Sequence, residues 1–130
     1  MSAYLKKALL VASLSIVSLS AWADNCDNAR NDFDEFYCKD KLYLQADRDL
    51  NQAYGALMKA LPSSARPTLK SVQLDWMRER DRACIDKRDG EIVLYVNCRL
   101  NRTVNQTNFL NDRLRECKST GCQPSRLQDN

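Results

Sequence analysis

The stretch VQLDWMRERDRAC, residues 72–84, places a tryptophan, six charged side chains and a cysteine in thirteen positions. Val72, Trp76 and Arg80 recur at four-residue steps, so in a helix these side chains share one face. Leu69 lies on the same face one turn earlier. The pattern predicts a helix that contributes Trp76 to a hydrophobic core and ends near Cys84.

Arg80 is unusual on this face because a buried guanidinium without a partner is very costly. We therefore expect Arg80 to be paired with a carboxylate or with carbonyl groups at a helix end, and the candidate carboxylates are Asp81, Asp40 and Asp47. A structural ion pair is favoured here over an anion-binding site.

Asp75 and Glu79 are also four residues apart and share a second face of the helix. Paired carboxylates can hydrolyse glycosides, but only where a pocket drives their two pKa values apart. Lys70, Arg78 and Arg82 flank this pair, which is typical of a solvated, charged face. The chain has no histidine, so it offers no Ser/His or Cys/His nucleophile. We predict a protein that is not an enzyme and needs no cofactor.

The first 23 residues have the composition of a secretory signal peptide. Lys6 and Lys7 precede an apolar or small run over residues 8–20, and Ala21-Trp22-Ala23 offers small residues for cleavage near Ala23. The apolar run is short for a membrane helix, and no second run follows. We predict a periplasmic or secreted protein whose mature part has no membrane span.

Charge is unevenly distributed over the mature part. Residues 24–130 carry 18 basic and 17 acidic side chains, a balance that gives no indication of nucleic acid as a partner. Residues 24–35 alone have a net charge of −4, and residues 36–130 have +5. Such a separation can steer a charged partner, although acidic residues are also common where a helix begins.

Apolar residues at three- and four-residue steps predict three helices. The first covers residues 32–61, begins at an Asn31 or Asp32 cap and ends before Pro62. The second begins near Ala65, and the third is expected over residues 92–117, although IVLYV (92–96) could by itself be a strand. The tail after Cys117 is polar, and we expect it to be irregular. The predicted fold is all-α, a small antiparallel three-helix bundle.

Six cysteines in a small exported chain indicate three disulfides. They are Cys26, Cys38, Cys84, Cys98, Cys117 and Cys122. With no histidine and no CxxC pair, a metal site is not expected. The bundle places the first four cysteines at one end and Cys117 at the other, where Cys122 is its neighbour. Three pairings are possible among the first four, and the local pairs Cys26–Cys38 and Cys84–Cys98 are favoured.

Two motifs carry a resemblance to a known family. The first is AD..LN.AY..L, from Ala46 to Leu57, and the second is Q..W...RD..C, which comprises Gln73, Trp76, Arg80, Asp81 and Cys84. With the cysteine spacing, they resemble the small secreted bacterial family named after the lysozyme inhibitor LprI. The resemblance covers residues 26–117, which suggests an LprI-like domain over 24–117 and a tail over 118–130 pinned by Cys122.

The resemblance implies a helical, disulfide-bonded binding protein that inhibits a lysozyme by blocking it sterically. C-type lysozymes are strongly basic, so their inhibitor should present acidic groups. We expect Asp32, Asp34 and Glu35 to face such a protein partner. The alternative is a structural or interaction module of the cell envelope that inhibits nothing.

Overall fold

The structure, a computed structural model, describes residues 26–129 and contains three long helices and one small β-hairpin. The predicted signal peptide, residues 1–23, lies outside the described residues. Within them, no helix is long and apolar enough to cross a membrane. In chain order the elements are a short 3-10 segment (Cys26–Asn28), α1 (Asp32–Ala60), a 3-10 turn (Ser63–Ala65), α2 (Arg66–Cys84), β1 (Ile85–Arg88), β2 (Glu91–Leu94), α3 (Val96–Ser119) and a final 3-10 segment (Pro124–Gln128). The predicted all-α bundle is confirmed, with the hairpin as an addition.

The ends of α1 and α2 follow from local sequence. The Asn31 side chain caps α1 by accepting a hydrogen bond from the Asp34 backbone N–H at 2.8 Å. Leu61, which precedes Pro62, is extended and stops the helix. Pro67 lies in the first turn of α2, where a missing N–H leaves no hydrogen bond unmade.

The three helices run up, down and up. The Arg99 guanidinium of α3 lies 4.5 Å from the centroid of the Tyr43 ring of α1. At the other end, Cys122 lies 3.4 Å from the carbonyl oxygen of Ala60. The chain therefore advances in the same direction along α1 and α3, and α2 returns antiparallel to both.

The hydrophobic core lies toward the end of the bundle that contains Pro62. It is formed by buried aliphatic side chains from all three helices and from the C-terminal segment, namely Leu50, Ala53, Leu57, Leu61, Ala65, Leu69, Leu110 and Leu127. Trp76 is half-buried and packs against this cluster. The opposite end has no comparable aliphatic cluster among the described residues, which leaves its apolar side chains on the surface.

The third helix begins at Val96 and not at residue 92, so the expected helical start was wrong. Residues 92–94 belong to β2, which pairs antiparallel with β1 in the register Ile85↔Leu94 to Arg88↔Glu91. Asp89 and Gly90 connect the strands with φ values of 51° and 83°. Two consecutive positive φ values are what a two-residue hairpin turn of right-handed twist requires. The turn therefore determines the conformation of residues 92–94, although apolar residues at helical spacing extend from α3 back to residue 92.

The tail is also more ordered than expected. Residues Pro124–Gln128 form a 3-10 segment, and Leu127 is only 1% exposed within the core. Glu116 fixes this segment because its carboxylate accepts from Arg113 at 2.8 Å and from Arg126. A polar stretch with one leucine gives no local indication of burial, so this packing was missed.

All six cysteines form disulfides, in the pairs Cys26–Cys38, Cys84–Cys98 and Cys117–Cys122. These are the local pairs that the sequence favoured. The first two lie at the end of the bundle that contains the hairpin, and the third lies at the core end.

Candidate partner-binding surface

A cluster of two arginines marks the boundary between the core and the hairpin end of the bundle. We call it the arginine junction and define it by Tyr43, Trp76, Arg80, Asp81 and Arg99. Arg80 is 4% exposed, and its Nε and Nη2 both lie 3.0 Å from Asp81 Oδ1. Arg99 Nη2 lies 3.5 Å from the same oxygen. Of the three expected partners of Arg80, the structure therefore selects Asp81.

Aromatic rings complete the junction. The Arg80 guanidinium lies 5.1 Å from the Trp76 ring centroid and 6.0 Å from that of Tyr43. Such contacts favour a cation that has lost most of its water. Asp81 thus joins α2 to α3 through Arg80 and Arg99, and the Tyr43 ring of α1 packs against both guanidinium groups.

Gln73, the first residue of the Q..W...RD..C motif, is buried between α2 and α3. Its side-chain oxygen accepts a hydrogen bond of 2.9 Å from Gln106 Nε2. A buried amide must be satisfied in this way because an unmade hydrogen bond costs about 1–3 kcal/mol. Gln73 therefore fixes the register of the two helices and is not available to a partner.

The three acidic residues expected to face a partner lie in the first turn of α1. Asp34 is paired with Arg30 at 2.9 Å, and Glu35 contacts Lys39. Both pairs are surface i,i+4 pairs, which hold their geometry weakly. Asp32 is exposed on the same turn. All three carboxylates remain close to solvent, where an incoming cation can compete for them.

Exposed aromatic side chains accompany these acids. Phe33, Phe36 and Tyr37 are each more than half exposed, and Phe33 reaches 73%. The rings of Phe33 and Tyr37 stack with centroids 6.5 Å apart. Because exposed apolar patches are common at interaction sites, these rings make the start of α1 a candidate surface for a partner.

The hairpin presents one charged face and one apolar face. On the charged face, Arg88 pairs with Asp86 at 2.6 Å and opposes Glu91 across the strands. The hydrogen bond from Arg88 holds the pKa of Asp86 below its ordinary value. The apolar face carries Ile92 and Leu94, which are 71% and 39% exposed. Asp86 and Arg88 therefore neutralise each other on one face of the hairpin, and the other face leaves aliphatic groups uncovered.

Both elements lie at the same end of the molecule. Tyr43 of α1 and Arg99 of α3 both belong to the arginine junction. The part of α1 before Tyr43 extends from the junction away from the core, and so does the hairpin, which comes just before α3. We call residues 26–43 and 85–95 the acidic end. It carries eight acidic and five basic side chains, a net charge of −3, whereas the remaining described residues have 13 basic and eight acidic side chains, a net of +5.

A second surface feature is an open groove of about 1220 Å³ along α2 and beside α3. Val72, Trp76 and Gln106 contribute to its lining. Asp75 and Glu79 also line it, and they pair with Arg78 at 2.9 Å and with Arg82 at 2.8 Å. Both carboxylates are exposed, as expected for a solvated face.

Residues 26–129 contain no group of three or more Asp, Glu, His or Cys side chains arranged to hold an ion. Each of the six cysteines is consumed in a disulfide.

The hairpin surface is the part that sequence reasoning missed. The apolar spacing predicts Ile92 and Leu94 at the start of a helix, although an Asp-Gly dipeptide such as Asp89-Gly90, followed by an apolar run, is a strong hairpin indication. The acidic residues of α1, in contrast, lie where the capping pattern placed them.

Comparison with known proteins identifies the family. Residues 24–110 match the family described as lysozyme inhibitor LprI. The pair Cys117–Cys122 and the segment that contains Leu127 lie beyond the matched residues. Searches of curated proteins and of solved structures found no match. Because the match covers more than half of the chain, the protein belongs to the LprI lysozyme inhibitor family.

Proposed function

We propose that this protein is a non-catalytic inhibitor that binds a basic lysozyme and sterically blocks access to it. The observation that carries the proposal is the acidic end, where a net charge of −3 surrounds three exposed aromatic side chains. Membership of the LprI family supports the same activity. A C-type lysozyme is strongly basic, so its surface complements this end of the molecule and is repelled by the remainder.

In this interface the acids and the aromatics have different tasks. Asp32, Asp34 and Glu35 steer the basic partner and align it, because charges at an interface act mainly on the association rate and on specificity. Phe33 and Tyr37 supply the apolar contact area, since aromatic residues dominate the energy of most interfaces. The bridge Cys26–Cys38 fixes the start of α1 and reduces the entropy lost on binding.

The proposed site of action is the periplasm or the extracellular space. Three disulfides fit an oxidising compartment, and residues 1–23 have the composition of a cleaved signal peptide. The family match begins at residue 24, directly after the proposed cleavage near Ala23.

A lytic assay tests the proposal. Purified, oxidised protein in excess should slow lysis of bacterial cell walls by a C-type lysozyme. The combined variant Asp32→Asn, Asp34→Asn, Glu35→Gln should raise the inhibition constant by about tenfold at low salt, because each exposed pair is worth ~0.2–1 kcal/mol. The difference from wild type should shrink as salt is raised.

The matched control is the double variant Asp75→Asn, Glu79→Gln, which removes two exposed carboxylates from α2. It should inhibit like wild type because these side chains lie outside the acidic end. If C-type, G-type and bacterial muramidases all remain fully active with excess wild-type protein, the inhibitor function is wrong.

A second candidate function is an envelope interaction module, and the groove along α2 favours it. A groove of about 1220 Å³ that combines Trp76 with amide and charged side chains suits an extended polar polymer such as a peptidoglycan strand. Co-sedimentation with insoluble peptidoglycan, with a change in Trp76 fluorescence and no inhibition of lysis, would select this alternative.

A further inference from the structure

We infer that the β-hairpin is the element that enters the substrate cleft of the lysozyme, with Ile92 as its apolar anchor. This inference rests on the proposed inhibitor function and names the part of the protein that would produce the steric block. In this arrangement the acidic start of α1 contacts the basic surface beside the cleft.

The hairpin has the shape that a cleft accepts. Each strand has four residues and therefore spans about 13 Å, and the two strands together are only ~5 Å wide between backbones. Only Ile85, Asp86 and Val93 are half-buried, and every other hairpin residue is exposed. A narrow projection of this kind reaches into a concave site, whereas the helix faces of the bundle do not.

The base of the hairpin is fixed covalently. Cys84 ends α2, Cys98 lies in the first turn of α3, and their disulfide holds the two Cα atoms 5.5 Å apart. The Tyr95 N–H also donates to the Cys84 carbonyl at 2.9 Å. An isolated two-stranded hairpin is marginal in water, so this closure keeps the hairpin ordered before it meets a partner. Preorganisation lowers the entropic cost of binding.

The register places Ile92 opposite Lys87 and Leu94 opposite Ile85, and all four side chains share one face. Ile92 is the most exposed large aliphatic side chain in residues 26–129. Ile92 lies near the tip, and its neighbours on this face, Lys87 and Leu94, are themselves exposed. An apolar residue of this kind on a rigid projection is typical of an interface anchor.

The charge of this face fits a cleft that hydrolyses glycosides. Such a cleft contains two carboxyl groups at the reaction centre. Lys87, beside Ile92, offers them a cation, while Arg88 is already paired with Asp86 on the opposite face. The hairpin face and the acidic start of α1 therefore match two different parts of one enzyme: its acidic centre and its basic exterior.

The test compares Ile92→Ala and Lys87→Ala with wild type in inhibition of a C-type lysozyme. Ile92→Ala should raise the inhibition constant tenfold or more without changing its salt dependence, because an apolar contact is not screened. Lys87→Ala should raise it by a smaller factor that decreases with salt. Tri-N-acetylchitotriose, which occupies the cleft, should compete with wild-type binding.

The control is Val104→Ala, which truncates an exposed aliphatic side chain on α3, outside the acidic end. It should inhibit like wild type. If wild type inhibits but both hairpin variants inhibit equally well, the hairpin inference is overturned and the inhibitor function stands. If wild type does not inhibit, the inhibitor function fails and the hairpin inference fails with it.

Discussion

Replacement of Asp81 by asparagine is the sharpest test of how the bundle is held together at the arginine junction. In the native protein a single carboxylate oxygen, Oδ1, lies 3.0 Å from two nitrogens of Arg80 and 3.5 Å from Arg99 Nη2. The Arg80 side chain is 5% exposed and that of Arg99 is 20% exposed. The amide removes the negative charge and leaves two guanidinium groups close together.

The magnitude follows from the burial of the partners. Loss of one partner of a fully buried pair costs about 3–5 kcal/mol, and a hydrogen bond to a charged group is worth ~1.5–3 kcal/mol. The Asp81 side chain is 44% exposed, so solvent screens part of this interaction. We therefore expect Asp81→Asn to lower the free energy of unfolding by about 2 kcal/mol and the melting temperature by about 10 °C.

The measurement is denaturant unfolding of the oxidised protein, monitored by circular dichroism at 222 nm. An unchanged m-value is the criterion that the native and unfolded states of the variant are comparable with those of wild type. Asp75→Asn is the matched control because it removes an exposed pair with Arg78 on the same helix. The control should change stability by less than ~0.5 kcal/mol. An Asp81→Asn variant as stable as this control would refute the structural role of the junction.

Two further predictions concern the tail and the hairpin. Leu127→Ala should cost about 2–5 kcal/mol in urea unfolding because the side chain is almost fully enclosed by the core; a loss below ~1 kcal/mol would show that the tail detaches freely. Asp86→Asn should destabilise the protein at neutral pH, where Arg88 lowers the pKa of the native carboxylate. A carboxyl group whose pKa is lower in the native state than in the unfolded state stabilises the protein at pH values above its unfolded-state pKa. This stabilisation disappears as the pH falls through the native-state pKa. Thermal unfolding of the two proteins should therefore converge below about pH 4, and a difference that persists in acid would contradict the assignment.

The helical frame was predictable because its determinants are local. The Asn31 cap and the proline after Leu61 fix the limits of α1. On α2 the predicted stripe is right for Leu69 and Arg80, which are buried, whereas Val72 and Trp76 are half-buried and line the open groove. The choice of Asp81 over Asp40 and Asp47 as the partner of Arg80 was not predictable. It depends on side-chain geometry where three helices meet.

The hairpin and the tail escaped prediction for a different physical reason. The helical spacing that continues from Val96 competed with the turn chemistry of Asp89-Gly90, and only backbone conformation decides between them. Leu127 has no apolar periodicity around it, so its burial depends on the position of Glu116 and on the core surface it covers. The candidate surface was predictable only in its acidic half because the aliphatic half belongs to the hairpin.

The order of the disulfides has a consequence for biogenesis. Each bridge joins a cysteine to the next one along the chain, with separations of 12, 14 and 5 residues. A polypeptide exported from its N-terminus presents these thiols one after another, so an oxidase that joins successive cysteines as they emerge makes every native bond directly. No bridge has to be broken and reshuffled, a process that takes seconds to hours. Vectorial oxidation thus suffices for this protein, and its yield should be independent of a disulfide isomerase.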